Sequence, residues 1–480
     1  MGEEIKYSRF QHADYVRFKK SLFDETQILS EWFSNNSLSK KSLVAGYELE
    51  TWLINLDGLP CPNNEKLLRS AHNELLSPEL AKFNIELNVR PQALKSSVLS
   101  DFESSLIKLW NQCQTISSQD HCNLLGIGIL PTLEDKHLSL DNLSTLNRYL
   151  ALNEQVLTQR NGEPIKLDIV GNDHLQTEHM DVMLEAATTS LQIHIQTPQD
   201  VAVNYYNASI AVSAPMVAVG ANSPFLFGKS LWEETRIPVF EQAVASGGFN
   251  GAAHGPIHRV SFGNGYAKKS LFECFSENVE HFPILLPVEY DNDINDLRHL
   301  RLHNGTIWRW NRPLVGFDDD GTPHIRIENR VTAAAPSCID NIANIAFYYG
   351  LAHYYANYAD PVEQTLPFSQ ARDNFYLAAQ HGLGAHITWN DKKHHSLKKL
   401  ILDQLLIEAE TGLQHLNLDD DDIKKYLGVI DKRIHSEQTG SSWQRNFASK
   451  HQHDMQKLTL TYFKNQKTNQ PVHTWDYTSE

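Results

Sequence analysis

Apolar residues recur at helical spacing from about residue 12 to residue 36, and the polar run Asn35-Asn-Ser-Leu-Ser interrupts the pattern before the apolar segment Leu43-Val-Ala-Gly-Tyr. The change of period predicts a helix followed by a strand. Residues 101 to 118 again read as a helix, while Leu124-Leu-Gly-Ile-Gly-Ile-Leu-Pro131 is a short apolar run that suits a buried strand. At Thr197-Pro198-Gln199-Asp200 a capping residue, a proline and an acid stand in the order of a helix start. The small and apolar residues that follow, up to Gly220, predict one buried helix, ended by the turn Asn222-Ser223-Pro224. Helical pattern dominates after about residue 340, and the last thirty residues read as a polar, frayed tail. The glycine-rich stretch 246–255 and the acidic stretch 291–296 read as mobile loops. The predicted division is an N-terminal helical segment (1–40), a catalytic sheet with inserted helices (41–345), a C-terminal helical cover (346–450) and a tail (451–480).

Four of the strand-like segments carry polar residues two apart, which puts those side chains on one face of a sheet. They are Val44-Ala-Gly-Tyr-Glu48-Leu-Glu50, Phe83-Asn-Ile-Glu86-Leu-Asn88, Ser190-Leu-Gln192-Ile-His194-Ile-Gln196 and His324-Ile-Arg326-Ile-Glu328-Asn-Arg330. A solvated strand face favours Thr, Ser and Lys; these faces instead carry glutamates, a histidine and glutamines between aliphatic residues. Two carboxylates about 7 Å apart along one strand repel unless a cation lies between them. Several carboxylates, one imidazole and no thiol make a donor set for a hard divalent ion such as Mg²⁺ or Mn²⁺, which keeps part of its water for contact with phosphates. Zinc would call for more His or Cys. Arg326 and Arg330 on the same face suit phosphate oxygens, so the pattern points to phosphoryl transfer.

Composition narrows the classes. The 480 residues, 41% of them hydrophobic, allow a large core in one domain or two. A formal charge of -16 argues against a surface built for nucleic acid. No apolar run of roughly 18 residues and no signal-peptide core is visible, and the N-terminus lacks the myristoylation pattern, so the expected location is the cytoplasm, without membrane contact. The five cysteines, Cys61, Cys113, Cys122, Cys274 and Cys338, show no CxxC spacing and are expected to be reduced thiols.

Four motifs taken in order, Gly46-Tyr-Glu48-Leu-Glu50, Ala221-Asn222-Ser223-Pro224-Phe225, Thr306-Ile-Trp308-Arg-Trp310-Asn-Arg312-Pro313 and Ile327-Glu328-Asn-Arg330, resemble the glutamate-cysteine ligase family in its carboxylate-amine ligase branch. A weaker echo lies at Gln438-Thr-Gly-Ser-Ser-Trp-Gln444. The resemblance implies an α+β fold, a curved antiparallel sheet funnel of the glutamine synthetase type covered by helices. It implies an ATP-dependent ligase that phosphorylates a carboxylate for attack by an amine, with L-glutamate and L-cysteine as the expected pair in glutathione biosynthesis. By motif, Glu48, His194 and Glu328 are expected to hold the metal on the ATP phosphates, and Glu50 and Glu86 the metal nearer the substrate. Arg330 is expected to stabilise the transferring phosphoryl group, with Arg312 or Arg236 binding substrate carboxylate or phosphate. Asn88, Gln192, Asn222 and Arg326 are the remaining candidates for substrate or ATP contact. The acceptor amine and the oligomeric state stay open. The turn from Gly316 to Pro323 is longer and more acidic than is usual in the family, and Arg326 is an added charge.

Other residues have simpler readings. Trp308 and Trp310 read as core or wall residues. His254, His258 and His303 read as ordinary surface or hydrogen-bonded histidines. Asp318 to Asp320 reads as a solvated turn, and Asp419 to Asp422 as an acidic helix N-terminus.

Overall fold

The structure is a computed structural model that describes residues 4–246, 258–291 and 293–478. Its centre is one curled antiparallel sheet built from β1 (Val44–Ile54), β2 (Leu76–Pro78), β3 (Asn84–Asn88), β4 (Ser190–Thr197), β5 (Asn311–Phe317) and β6 (Pro323–Ala333). The strand order is β5-β6-β4-β1-β3-β2, and the short segments Gln92–Ala93 and Asn123–Leu125 add to β1. The α+β funnel expected from the sequence is therefore the observed architecture.

The alternation read in the sequence sorts the two faces. Leu49, Leu87, Ile193, Ile195 and Ile327 are fully buried on the side that packs against helices, which is why these strands carry aliphatic residues at every second position. The helices that matter here are α1 (His12–Ser34), α2 (Val98–Ser118), α3 (Ala202–Ala211), α4 (Ser213–Gly220), α5 (Arg298–Gly305), α6 (Cys338–Asn357), α7 (Leu406–His415), α8 (Gly440–Lys450) and α9 (Met455–Gln466). α6 runs beneath the sheet, and its Tyr349 hydroxyl donates to the carbonyls of His194 (2.8 Å) and Gly46 (3.0 Å). One side chain thus ties the backbones of β1 and β4 where their polar faces meet.

Several expectations need correction. The stretch Thr197–Asp200 ends β4 and turns, and the helix begins only at Ala202. Val212 (φ -82°, ψ 0°) then interrupts the helical run. Pro215 has no N–H to donate to the carbonyl of Ala211, so a continuous ladder is impossible there. Of the apolar run 124–131, only Leu124 and Leu125 belong to a paired strand. The tail is not frayed: in α9 the Tyr462 hydroxyl and the Gln466 amide both donate to the carbonyl of Gly126, at 3.0 and 2.8 Å. Asp318 is not a solvated turn residue either. Its buried carboxylate accepts from Ser39 Oγ (2.7 Å), Gln196 Nε2 (3.1 Å) and Lys41 Nζ (3.1 Å), clamping the chain before β1 onto the β5–β6 turn.

Cys61 and Cys122 form a disulfide with Cα atoms 6.3 Å apart, against the expectation of five reduced thiols. The pairing of Ile54 with Asn123 brings the two chain segments together. Cys113, Cys274 and Cys338 are free and buried. The predicted loop 246–255 lies outside the described residues apart from Ser246, as does Asn292 in the acidic stretch. Among the described residues no helix is long and apolar enough to cross a membrane.

α6 and α7 cross at two glycines: a Cβ on Gly412 would lie 2.0 Å from the Gly350 carbonyl oxygen, and one on Gly350 would lie 2.4 Å from that of Ala409. Backbone cannot yield as a flexible side chain would. Gly412→Ala is expected to destabilise the fold by about 1–3 kcal/mol, as overpacking does, measured as a lower midpoint in urea with an unchanged slope.

Candidate active site

The register decides which of the expected residues meet. Glu48 pairs with Gln192 on one side and Asn88 on the other, Glu50 pairs with Glu86, and Glu328 pairs with both His194 and Arg312. Side chains from five neighbouring strands therefore project from the funnel face. A hydrogen-bonded row crosses it. Glu50 accepts from the Ser190 amide (2.7 Å) and from Gln192 Nε2 (2.7 Å), and Gln192 Oε1 accepts from an Arg330 guanidinium N–H (2.6 Å). Arg330 also donates to Glu328, which receives Arg312 through two further N–H groups at 2.8 and 2.9 Å. Burial alone would raise the Glu328 carboxyl, but Arg312 and then Arg330 hold it well below the usual carboxylate range.

One end of the funnel is strongly acidic. Glu50, Glu79 and Glu86 each offer an oxygen within 4.8 Å of the others, and all three are buried. Burial first, and the neighbouring carboxylates second, raise Glu79 well above its usual range and push Glu86 up to about 7. Glu185 beside them is pushed up to about 8, chiefly by burial and then by Glu50. One oxygen of Glu79 and one of Glu86 have no hydrogen-bond partner. Buried carboxylates with oxygens left over and like charges unbalanced are what a bound divalent cation would resolve, and the all-oxygen donor set fits Mg²⁺ or Mn²⁺. No pattern in the sequence marks Glu79. It follows β2 rather than lying within it, so strand alternation gives no signal for it.

The set expected around the ATP phosphates is only partly assembled. His194 Nε2 lies 3.4 Å from Glu48 Oε1 and is buried without a hydrogen bond, whereas Glu328 is turned to the two arginines. Arg326 reaches His194 Nδ1 at 3.4 Å. Asn88 donates to Glu86 Oε1 (3.0 Å) and Ser77 Oγ (3.2 Å), so it steadies a carboxylate.

Two of the residues expected to contact ligand make hydrogen bonds to the scaffold. The Arg236 guanidinium donates to the carbonyls of Arg330 (3.1 Å) and Val331 (2.6 Å) and lies 5.3 Å over the Trp310 ring. It holds the backbone where the β4–β6 register shifts between Asn329 and Thr332. Asn222 donates to the Ala334 carbonyl (2.7 Å) and the Tyr462 hydroxyl (2.8 Å), while its own oxygen accepts from Gln444 Nε2 (2.9 Å). This binds two of the sequence motifs to each other away from the funnel face. Trp310 is fully buried with its indole N–H on Glu241 (2.8 Å), and His303 is buried with Nε2 3.0 Å from the Asn278 carbonyl.

Next to Glu48 and Glu328 opens a cavity of about 300 Å³. Arg148, Arg298, Arg301, Arg312 and Arg326 line it, together with apolar residues such as Leu286 and Trp308. The three arginines outside β5 and β6 were not read from the sequence.

An antiparallel funnel with an acidic end, an arginine-lined cavity and a buried Glu-Arg row between them defines the site of an ATP-dependent carboxylate-amine ligase. Residues 44–462 match the family model of glutamate-cysteine ligase family 2, and the chain belongs to that family. Among solved structures, the glutamate-cysteine ligase of Francisella tularensis in complex with AMP aligns over 92% of this chain and 91% of its own, at 11% identity and a TM-score of 0.54. A bifunctional glutathione synthetase from Pasteurella multocida aligns over 92% of this chain and 55% of its own, at 10% identity and a TM-score of 0.50. At these identities the likeness is one of fold. No curated protein sequence matches the chain.

Proposed function

We propose that the protein uses ATP to phosphorylate the γ-carboxylate of L-glutamate and then joins the acyl group to the amine of L-cysteine, giving γ-glutamylcysteine, ADP and phosphate. The observation that carries the phosphoryl-transfer reading is the buried row Glu50–Gln192–Arg330–Glu328–Arg312, flanked by acids on one side and arginines on the other. The choice of glutamate and cysteine rests on the family.

A carboxylate is a poor electrophile because its leaving group would be oxide. Attack of a carboxylate oxygen on the γ-phosphorus breaks the bond to the ADP oxygen and installs phosphate as a good leaving group. The neutral amine nitrogen then attacks the acyl carbon, the bond to the phosphate oxygen breaks, and the nitrogen gives up one proton, which the departing phosphate or solvent takes. Charge accumulates on the phosphoryl oxygens during the first step, where fixed guanidinium groups contribute most. Arg330 is such a group, held from both sides by Gln192 and Glu328. In this reading Glu50, Glu79 and Glu86 would hold one Mg²⁺ or Mn²⁺ ion, and Glu48 and His194, with Glu328 once released from an arginine, a second. Bound there, the ions supply charge neutralisation for the phosphates and the carboxylate. His194 is buried, and Glu48 lines the cavity beside it.

The test is turnover with MgATP, L-glutamate and L-cysteine, with phosphate release and product mass measured together. The expected result is one γ-glutamylcysteine per ADP and phosphate. An amide formed only with another amine would keep the ligase and replace cysteine. A phosphorylated guanidine would replace the ligase with a kinase, and absence of turnover with every amine and carboxylate offered would leave only nucleotide binding.

A further inference from the structure

The chain before α1 forms part of the cavity wall. Residues 4–11 adopt neither helix nor strand, and of these eight only Ile5 is buried, at 3% exposure. Glu4, Lys6, Tyr7 and Arg9 are exposed, and Ser8 and Phe10 are half-buried. Ile5 lines the cavity that Glu48, Glu328 and Arg312 also line, and it joins Tyr149 and Leu286 in one apolar cluster. A buried side chain between exposed neighbours puts its own backbone at the surface. The segment therefore stands between the cavity and solvent on one side. Asn147, at the start of the helix Asn147–Gln159, seats it there by donating from Nδ2 to the carbonyls of Ile5 (3.0 Å) and Lys6 (3.4 Å).

The hold is slight for a wall. Ordering this stretch costs backbone entropy at every residue, and one buried aliphatic side chain with a pair of hydrogen bonds returns an amount of comparable size. The Arg9–Glu154 pair, at 3.8 Å with both side chains reaching water, adds little. α1 itself is fixed, since its Phe18, Leu22 and Leu29 are buried in the core. The segment thus hangs from a firm point by a weak clasp at its far end, which is the arrangement of a strap.

We propose that residues 4–11 open and shut one side of the cavity, and that Ile5, when seated, keeps water from the acyl phosphate formed beside it. This rests on the reading that an acyl phosphate forms at this site. Water is the rival of the amine there. Its oxygen would bond to the acyl carbon, the bond to the phosphate oxygen would break, and carboxylate, phosphate and a proton would be released, with ATP consumed and no amide made. A strap that shuts during the reaction and opens for exchange of substrate and product removes that loss.

Trypsin reads the opening, because Lys6 and Arg9 lie within the strap and are cut when the segment leaves its seat, at a rate set by the open fraction. For Ile5→Ser the cleavage, followed by mass of the released peptides, is expected to quicken about tenfold, the order of losing most of one buried aliphatic side chain. Asn147→Ala, which leaves the cleaved sequence untouched, should quicken it less, and MgATP with L-glutamate should slow it in the wild type. Both variants should keep the wild-type melting transition. In turnover with L-cysteine the wild type should release one phosphate per amide and Ile5→Ser more than one, with Ile5→Val close to wild type. Cleavage of both variants at the wild-type rate would show that Ile5 and Asn147 do not hold the segment. Faster cleavage with one phosphate still released per amide would show that the segment guards nothing, and wild-type cleavage indifferent to MgATP and L-glutamate would separate it from the site. Each of these overturns the proposal. A wild type without turnover would overturn the ATP reading itself, and the guarding role with it, whatever the cleavage rates.

Discussion

Arg330→Ala should lower kcat by roughly 10³-fold, as loss of a charge-stabilising arginine does in phosphoryl transfer, while ATP binding stays comparatively intact. The structure explains why the two effects separate. Arg330 is buried between Gln192 and Glu328, in the row rather than at the arginine-lined cavity. Removing it leaves Glu328 still gripped by Arg312, so the carboxylate does not become an isolated buried charge. Glu328→Gln should behave differently and weaken metal-nucleotide binding together with turnover, because it removes a carboxylate that would hold the second ion. Arg326→Ala should act chiefly on ATP affinity. The measurements are steady-state kinetics and calorimetry on variants that keep the wild-type melting transition. Near wild-type turnover by Arg330→Ala would show that the catalytic arginine lies elsewhere in the sheet.

Activity should disappear on chelation and return with Mg²⁺ or Mn²⁺, since the acidic trio offers only oxygen donors. Full turnover in excess EDTA would contradict the metal reading. Glu79→Gln gives a sharper form of this test because two quantities should move in opposite directions. Losing one of several mutually repelling buried carboxylates should raise thermal stability in the absence of divalent ions, given that its neighbours are what push Glu79 upward after burial itself. The same substitution should weaken the ion and lower its stabilising shift, with a loss in apparent metal affinity of at least the roughly 10- to 100-fold carried by outer-shell partners of a metal. Thermal melts with and without Mg²⁺ would read both. Unchanged Mg²⁺ dependence would exclude Glu79 from the ion.

The two predictions draw on different levels of information. Glu328 and Arg330 were legible in the sequence, as were Glu48, Glu50, Glu86 and His194, because a strand sends every second side chain to one face and these residues interrupt an aliphatic pattern. Glu79 was not, because it follows a three-residue strand, and Arg148, Arg298 and Arg301 were not, because helical positions around a cavity carry no alternation. The helix start at Ala202 was misplaced because a Thr-Pro-x-Asp pattern also suits the turn that ends a strand.

Period alone therefore fixed which residues share a face within each strand, and it fixed the aliphatic face that the helices cover. It could not fix how one strand registers against the next, since that depends on packing and on contacts from distant segments such as Tyr349 and Asp318. Register is what sets Glu50 opposite Glu86 and Glu328 opposite both His194 and Arg312. Tertiary packing also decided where the donors of Arg236 and Asn222 go, because a buried guanidinium or amide must spend its donors on the nearest carbonyls, and for these two the carbonyls belong to β6 and to Ala334 just after it.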